Sequence, residues 1–491
     1  MTNPEQALYI TKQIRWCERK VLETLGLVED PLMQRAGLAA FNTLQSLYPD
    51  VRSIAVFCGA GNNGGDGYVL AHKAHQQGFS VVVYQYKAVE SLPPAAQHAA
   101  IVAIAAGIPC LCIDDAIDSD VELVVDALLG IGVQGDVQGP IAHAISLIND
   151  SGLPIIALDV PSGLDADTGR VCGVCIKASV TITFIGQKIG LYTLDGPDYC
   201  GSVVCHDLQL SSLLATIKPA AYRLDGRLLH KSIGTRRKNS NKGMYGHVLI
   251  IGGGLGMPGA AYLAALAALK VGAGMVTIAT RSEHTGHVLP LLPEAMIYPV
   301  DSVDALLPLL AKATICVIGP GLGEDAWAMA LYMAAIAAQL PLVIDASALR
   351  MLANHPQHDD NWVLTPHPGE ASSLLACSVP DIQADRCFAA QRIQQQYGGC
   401  VVLKGVGTIV NTGGNEVAIC TAGNPGMSSA GMGDVLSGVI GGLLAQGMLI
   451  ANAATLGVWL HAKAADEAAD AQGERGLMAS DLMPYLRRLM N

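Results

Sequence analysis

The run Asn424-Pro425-Gly426-Met427-Ser428-Ser429-Ala430-Gly431-Met432-Gly433-Asp434 ends on a single carboxylate and passes at once into the apolar stretch Val435 to Ile440. Glycines leave backbone N–H groups uncovered where a helix begins. The helix dipole and those unpaired donors together favour an anion. A carboxylate beside a held phosphate is free to take a proton from an attacking hydroxyl, so the layout reads as a phosphoryl-transfer site with Asp434 as base. The plainer alternative is a tight helix-start turn with Asp434 as a surface cap.

A second cluster, Gly59-Ala60-Gly61-Asn62-Asn63-Gly64-Gly65-Asp66-Gly67, lies between the apolar runs Ile54 to Phe57 and Tyr68 to Ala71. Strand, glycine loop and helix in that order bring backbone close to a phosphate or dinucleotide. The cluster lacks G-x-G-x-x-G with an acidic residue after a second strand, so ordinary dehydrogenase chemistry is not indicated. Two more motifs follow predicted strand ends: Asp126-Ala127-Leu128-Leu129-Gly130-Ile131-Gly132 and Asp159-Val160-Pro161-Ser162-Gly163-Leu164-Asp165. Singly, such motifs are ordinary turns or caps. Together at one sheet edge, oxygens from Asn63, Asp126 and Ser162 could converge on a hard cation, and few formal charges suit a monovalent ion better than magnesium.

These groups need a scaffold to hold them. From Val51 to Leu210 short β-branched runs (Ile54 to Phe57, Val81 to Tyr84, Leu123 to Asp126, Ile155 to Asp159, Val180 to Phe184) alternate with alanine-rich helical stretches. That alternation means a parallel sheet covered on both faces, with ligands at the carboxyl ends of the strands. The residues before Val51 read as a helical preface. The pattern weakens between Leu213 and Arg237, which places a boundary near residue 220 and divides the chain into domains 1–220 and 221–491. A fresh strand, His247 to Ile251, then opens a second α/β region with further strands at Met275 to Ala279, Thr314 to Ile318, Leu342 to Asp345, Trp362 to Thr365 and Val401 to Leu403.

The chain has 491 residues and a formal net charge of −12, which argues against a sequence-independent grip on nucleic acid. Its most apolar stretches, Ala260 to Val276 and Leu436 to Leu449, are broken by Lys270 or by glycines, so no membrane association is expected. Met1 to Trp16 has no apolar core of a secretory signal, and 13 scattered cysteines fit reduced thiols, so a cytoplasmic location is expected. Cys172-x-x-Cys175, with Cys200, Cys205 and His206 downstream, does not read as a zinc site. The apolar composition points to a homo-oligomer.

With these motifs in this order, the first half resembles the NAD(P)H-hydrate epimerase domain through Gly59 to Gly67, Asp126 to Gly132, Leu158 to Asp165 and Thr183 to Gly190. The second half resembles the ADP-dependent NAD(P)H-hydrate dehydratases, which have a ribokinase-like fold. The residues that carry this likeness are Asn241 to His247, Gly319 to Gly323, Thr365 to Glu370, Lys404 to Thr408 and Gly431 to Asp434. The resemblance spans nearly the whole chain, which looks like a bifunctional NAD(P)H-hydrate repair enzyme. It implies a Rossmann-like three-layer α/β/α domain followed by a ribokinase-like α/β domain.

The resemblance also implies an activity for each half. The first interconverts the R and S forms of NADH and NADPH hydrates and binds potassium through Asn63, Asp126 and Ser162. Its substrate contacts are Asn62, Asn63, Gly64, Gly65 and Asp66, then Gly130, Ile131, Gly132, Val133, Gln134, Gly135 and Asp136, then Asp159. Asp159 and Lys188 are the acid-base candidates, with a structural ion pair as the alternative. The second half dehydrates the S form, with ADP as co-substrate and magnesium. Asp434 is its base; Ala260, Gly321, His367 and Asp434 contact the substrate; Lys404, Gly405, Val406, Gly407, Thr408 and Gly433 hold the nucleotide.

Met432 stands where relatives of this fold often carry threonine, which matters little if backbone N–H groups hold the anion. Ser347 stands where aspartate is common, which affects a polar contact near Asp345. Rival readings are a non-catalytic binding module in the first half, or a plain small-molecule kinase fused to a sensor.

Overall fold

The computed structural model describes residues 6–25, 31–133, 135–226, 234–414 and 417–491. The chain divides into two compact units, Met1–Tyr222 and Arg223–Asn491. Among the described residues no helix is long and apolar enough to cross a membrane.

The first unit is built on a seven-stranded sheet in the spatial order Cys110–Cys112, Ser80–Gln85, Ser53–Cys58, Leu123–Ala127, Ile155–Leu158, Val180–Phe184, Ser202–His206. Every pairing in it is parallel. Alternate residues of the central strand serve opposite faces, as the period of two requires. Ile54 and Val56 pack with the helices Pro31–Leu47 and Asn62–Gln76, while Ala55 and Phe57 pack with Gly139–Asp150. The sheet is thus covered on both sides, a three-layer α/β/α arrangement. Strand order reverses between Ser53–Cys58 and Leu123–Ala127, which opens a crevice at their carboxyl ends.

The expected helical preface is only partly so. Helices Thr11–Leu25 and Pro31–Leu47 are preceded by a strand, Ala7–Tyr9, that runs parallel to Gln187–Lys188 with Tyr9 opposite Lys188. Three residues are too few to carry a period of two, so periodicity missed them. Asp159, read as the end of a strand, lies beyond it: Ile155–Leu158 stops and Asp159 turns into the left-handed region at φ 65°.

The second unit has a parallel run in the order Met296–Pro299, Met275–Thr280, His247–Ile251, Ile315–Ile318, Leu342–Ile344, Trp362–Leu364, Cys400–Leu403. Thr408–Asn411 and Val417–Cys420 extend it antiparallel. Helix Met432–Ala445 is buried along almost its whole length. Gly438 makes that possible, because a β-carbon there would sit 2.0 Å from the Ala264 carbonyl oxygen of helix Pro258–Lys270. Close backbone approach of the two helices fixes where Asp434 emerges. Strand order reverses between His247–Ile251 and Ile315–Ile318, and the glycine loops after these strands bond to each other, with Gly253 and Gly254 donating to the carbonyls of Pro320 and Gly321.

Candidate active sites

In the second unit Asp434 occupies the first turn of helix Met432–Ala445, after Gly431 with φ 88°. A left-handed residue there turns the chain sharply so that the first N–H groups of the helix open outward. Gly433 brings this turn to Lys404: an added β-carbon would lie 3.4 Å from Lys404 Nζ and 3.7 Å from Asp345 Oδ2. Lys404 Nζ donates to Asp345 Oδ1 at 2.9 Å and lies 3.6 Å from Glu370 Oε2. Ser437 donates its hydroxyl to Asp345 Oδ2 at 2.6 Å. Lys404 and these donors hold the Asp345 carboxyl below the usual range despite burial. Asp434 goes the other way: burial, and then the negative Asp345, push it up to about 7 against the pull of Lys404.

His367 caps helix Pro368–Leu375. Its Nδ1 accepts from the Gly369 and Glu370 amides, and Glu370 Oε2 accepts from the His367 N–H at 2.8 Å. This capping box locks the loop while leaving the half-exposed ring Nε2 turned to Glu370 Oε1 at 3.4 Å. Gly321, at φ 58°, comes so close to Ala260 that a β-carbon would stand 2.9 Å from that of Ala260. Ser347 only reaches the Gly319 carbonyl, at 3.5 Å.

The loop Lys404–Thr408 is shaped by a residue that sequence reasoning missed. Arg386 is buried, and its guanidinium donates to the carbonyls of Leu403, Lys404 and Val406. Three carbonyls on one planar cation fix the loop's curvature. Gly405, at φ 138°, leaves the space that this guanidinium occupies. Nothing in the local sequence marks Arg386, since its partners lie some twenty residues away. Ser437 was missed too, though it follows Asp434 by three positions and so shares its helix face.

In the first unit the crevice gathers all three expected loops. Asn63 donates through Nδ2 to the carbonyls of Leu129 at 3.0 Å and Leu158 at 3.2 Å, which leaves its Oδ1 buried with no hydrogen-bond partner. Asp126 is fully buried. It accepts from the Ser162 hydroxyl at 2.6 Å, the Ser162 N–H at 2.8 Å and the Leu128 N–H at 3.1 Å. Burial still pushes its carboxyl up to about 6. An orphaned amide oxygen beside a buried carboxylate and a hydroxyl is a donor set that a monovalent cation fits.

Asp159 lines a cavity of about 650 Å³, together with Asn62 and Asp66. Lys188 is wholly enclosed behind it. The ammonium donates to Asp159, to Thr183 Oγ1 at 2.9 Å and to the Phe184 carbonyl at 2.8 Å, which uses all three of its protons. The ion pair foreseen as the alternative to acid-base chemistry is therefore present, and Lys188 acts on the cavity only through Asp159. Gly130 packs on Asn63, with 3.3 Å between a built β-carbon and that of Asn63. Gln134 lies outside the described residues. Among those residues no group of three or more His, Cys, Asp and Glu is arranged to hold a metal ion, and Cys172 and Cys175 are buried free thiols.

Both units resemble known proteins. The family described as NAD(P)H-hydrate dehydratase matches residues 248–488, and the YjeF-related protein N-terminus family matches residues 29–190. The bifunctional NAD(P)H-hydrate repair enzyme of Coxiella burnetii is 47% identical over 485 residues, covering 99% of this chain and 99% of its own. Among solved structures, a ribokinase-like superfamily protein from Enterococcus faecalis aligns with TM-score 0.51 at 29% identity, over 56% of this chain and 96% of its own. The ADP/ATP-dependent NAD(P)H-hydrate dehydratase of Bacillus subtilis, co-crystallised with ATP and Mg²⁺, aligns with TM-score 0.50 at 28% identity, over 54% of this chain and 96% of its own. With a relative this similar from end to end and both family profiles matched in order, the chain belongs to the bifunctional NAD(P)H-hydrate repair enzyme family.

Proposed function

We propose that the chain repairs hydrated nicotinamide nucleotides, with the first unit interconverting the R and S hydrates and the second dehydrating the S form at the expense of ADP. The observation that carries this reading is the buried Asp434 carboxyl, pushed up to about 7 at an open helix start beside Lys404. A base poised near neutrality next to a fixed cation is what phosphoryl transfer from a diphosphate to an alcohol requires.

Asp434 takes the proton of the C6 hydroxyl as its oxygen bonds to the β-phosphorus of ADP, and AMP leaves. The ring nitrogen's electron pair then expels phosphate from C6, and loss of a C5 proton completes the double bond. Phosphorylation converts a poor leaving group into a good one. Lys404 and the Gly405 to Thr408 backbone hold the nucleotide phosphates together with the Gly433 amide, while Ala260, Gly321 and His367 face the hydrated ring. Asp345 and Glu370 already face Lys404, so magnesium would be carried by the ADP diphosphate and would supply positive charge to the transferring phosphoryl group.

In the first unit, Asp159 moves the proton that opens and recloses the ring at C6, and Lys188 keeps it aimed. The loops Asn62 to Asp66 and Gly130 to Asp136 contact the substrate. Asn63, Asp126 and Ser162 would hold potassium, which supplies positive charge next to the phosphate-facing loops when bound.

Incubating the chain with mixed R and S hydrates, ADP and Mg²⁺ tests both halves. In K⁺ the whole mixture is expected to return as reduced nicotinamide; with tetramethylammonium in its place, the S fraction returns and the R fraction persists. Equal rates in both salts would remove potassium from the site, and an R fraction that persists even in K⁺ would show that the first unit is not an epimerase.

A further inference from the structure

The cavity at Asp159 has a wall the loops do not supply. Helix Thr11–Leu25 buries Ile14 and Cys17 in the core and turns Lys12, Arg15 and Arg19 toward the cavity. These positions follow one another by three and four residues, so they form a row along one helix face, about 10 Å long at ~1.5 Å rise per residue. The row is held in place. Asp167 Oδ1 accepts from the Thr11 N–H at 2.6 Å and from its hydroxyl at 2.9 Å, and strand Ala7–Tyr9 ties the helix to Gln187–Lys188. Arg15 also reaches the loop after Leu123–Ala127: its Nη2 lies 3.2 Å from where a β-carbon on Gly132 would stand. A side chain at 132 would make the guanidinium give by a few tenths of an ångström.

Four carboxylates line the same cavity: Asp159 is engaged by Lys188 and Asp167 by Thr11, and Glu18 and Asp66 each have an interaction of their own. Lys12 and Arg15 make no ion pair among the described residues, while Arg19 lies in the charge field of Glu23. In a chain of net charge −12 this sets three cations in a row along one side of the cavity that Asp159 also lines. A row of cations of this length matches a diphosphate with its flanking riboses, and a planar guanidinium suits phosphate oxygens.

We infer that Lys12, Arg15 and Arg19 grip the diphosphate of the hydrated dinucleotide in the first unit, with Arg15 as the central contact. The inference rests on the epimerase reading above and adds residues that neither glycine loop contains. The contact is remote from C6 and equal in ground and transition states, so its loss raises KM and spares kcat.

The test is Arg15→Gln in the full chain. KM for the R hydrate is expected to rise on the order of tenfold with NADH and NADPH hydrates alike, the scale of one lost charge-assisted hydrogen bond, while kcat stays within about twofold. Arg15→Glu is expected to be worse and Arg15→Lys to recover part of the loss. An unchanged Tm of the first unit reports that it remains folded. A second measurement, titration of the wild-type chain and of Arg15→Gln with NADPH, is expected to show one of two binding sites weakened by the same factor and the other unchanged. Unchanged KM and NADPH affinity, or a fall in kcat at constant KM, would overturn the proposal. If the wild-type chain leaves R hydrate untouched while NADPH binding still depends on Arg15, the cationic row stands and the epimerase reading falls.

Discussion

Asp434→Asn is expected to lower kcat for dehydration of the S hydrate by about 10²- to 10⁴-fold, the range of a lost general base, and to leave epimerisation in place. Asparagine keeps the shape and removes the proton acceptor. Because burial and Asp345 push the Asp434 carboxyl up to about 7, the wild-type fraction in the base form falls as pH drops below that value. Activity should then decline about tenfold per pH unit on the acid side, a limb that the asparagine variant lacks.

Stability should move in the opposite sense. A carboxyl whose folded value lies near 7, against 3.8 when unperturbed, costs the fold progressively more as pH rises between the two. Asp434→Asn should therefore raise Tm at pH 8 and not at pH 3. A functional carboxylate that the fold tolerates at a cost is the mark of a site kept for chemistry. Unchanged turnover in the variant would remove the base from the mechanism.

Asp159→Ala is expected to abolish epimerisation and leave the S hydrate a full substrate. Two costs combine there. The acid-base group is lost, worth about 10²- to 10⁴-fold, and Lys188 is left enclosed with only Thr183 and Phe184 as partners. Breaking a buried pair from one side costs about 3–5 kcal/mol, so the alanine variant also lowers the Tm of the first unit. Asp159→Asn, which keeps a hydrogen-bond acceptor for Lys188, separates the two effects: it should restore much of the Tm and none of the epimerisation. Asp159 is also held at φ 65°, a conformation unfavourable for most residues and tolerated by Asp and Asn, so asparagine suits the backbone as alanine does not. Loss of both activities together in the asparagine variant would defeat the assignment.

The glycine-flanked loops were legible in the sequence because close backbone approach needs glycine, and the central strands were legible because burial on both faces makes them continuous apolar runs. Asn63 and Ser162 fell beyond such runs and Asp126 near the end of one, where a parallel sheet gathers its ligands, while Asp434 opens the buried run Val435 to Ile440. What the sequence hid is long-range. Arg386 sets the Lys404–Thr408 loop from a helix whose own residues give no sign of it. Strand Ala7–Tyr9 is too short to show a period, yet it anchors the helix that carries Arg15. Lys188 is legible as a charge in an apolar context, but only its three acceptors in the fold show that it stands behind Asp159 and not at the cavity wall. The pairing of Lys404 with Asp345 joins residues 59 positions apart in sequence, beyond the reach of any local pattern.

The most direct measurement follows the β-phosphorus of ADP. With S hydrate, Mg²⁺ and ADP labelled at that atom, the wild-type chain should release the label as inorganic phosphate, one for one with AMP and with reduced nicotinamide. Reduced nicotinamide formed without consumption of ADP, or label retained in a stable phosphorylated product, would contradict a base at Asp434 that drives phosphoryl transfer and elimination.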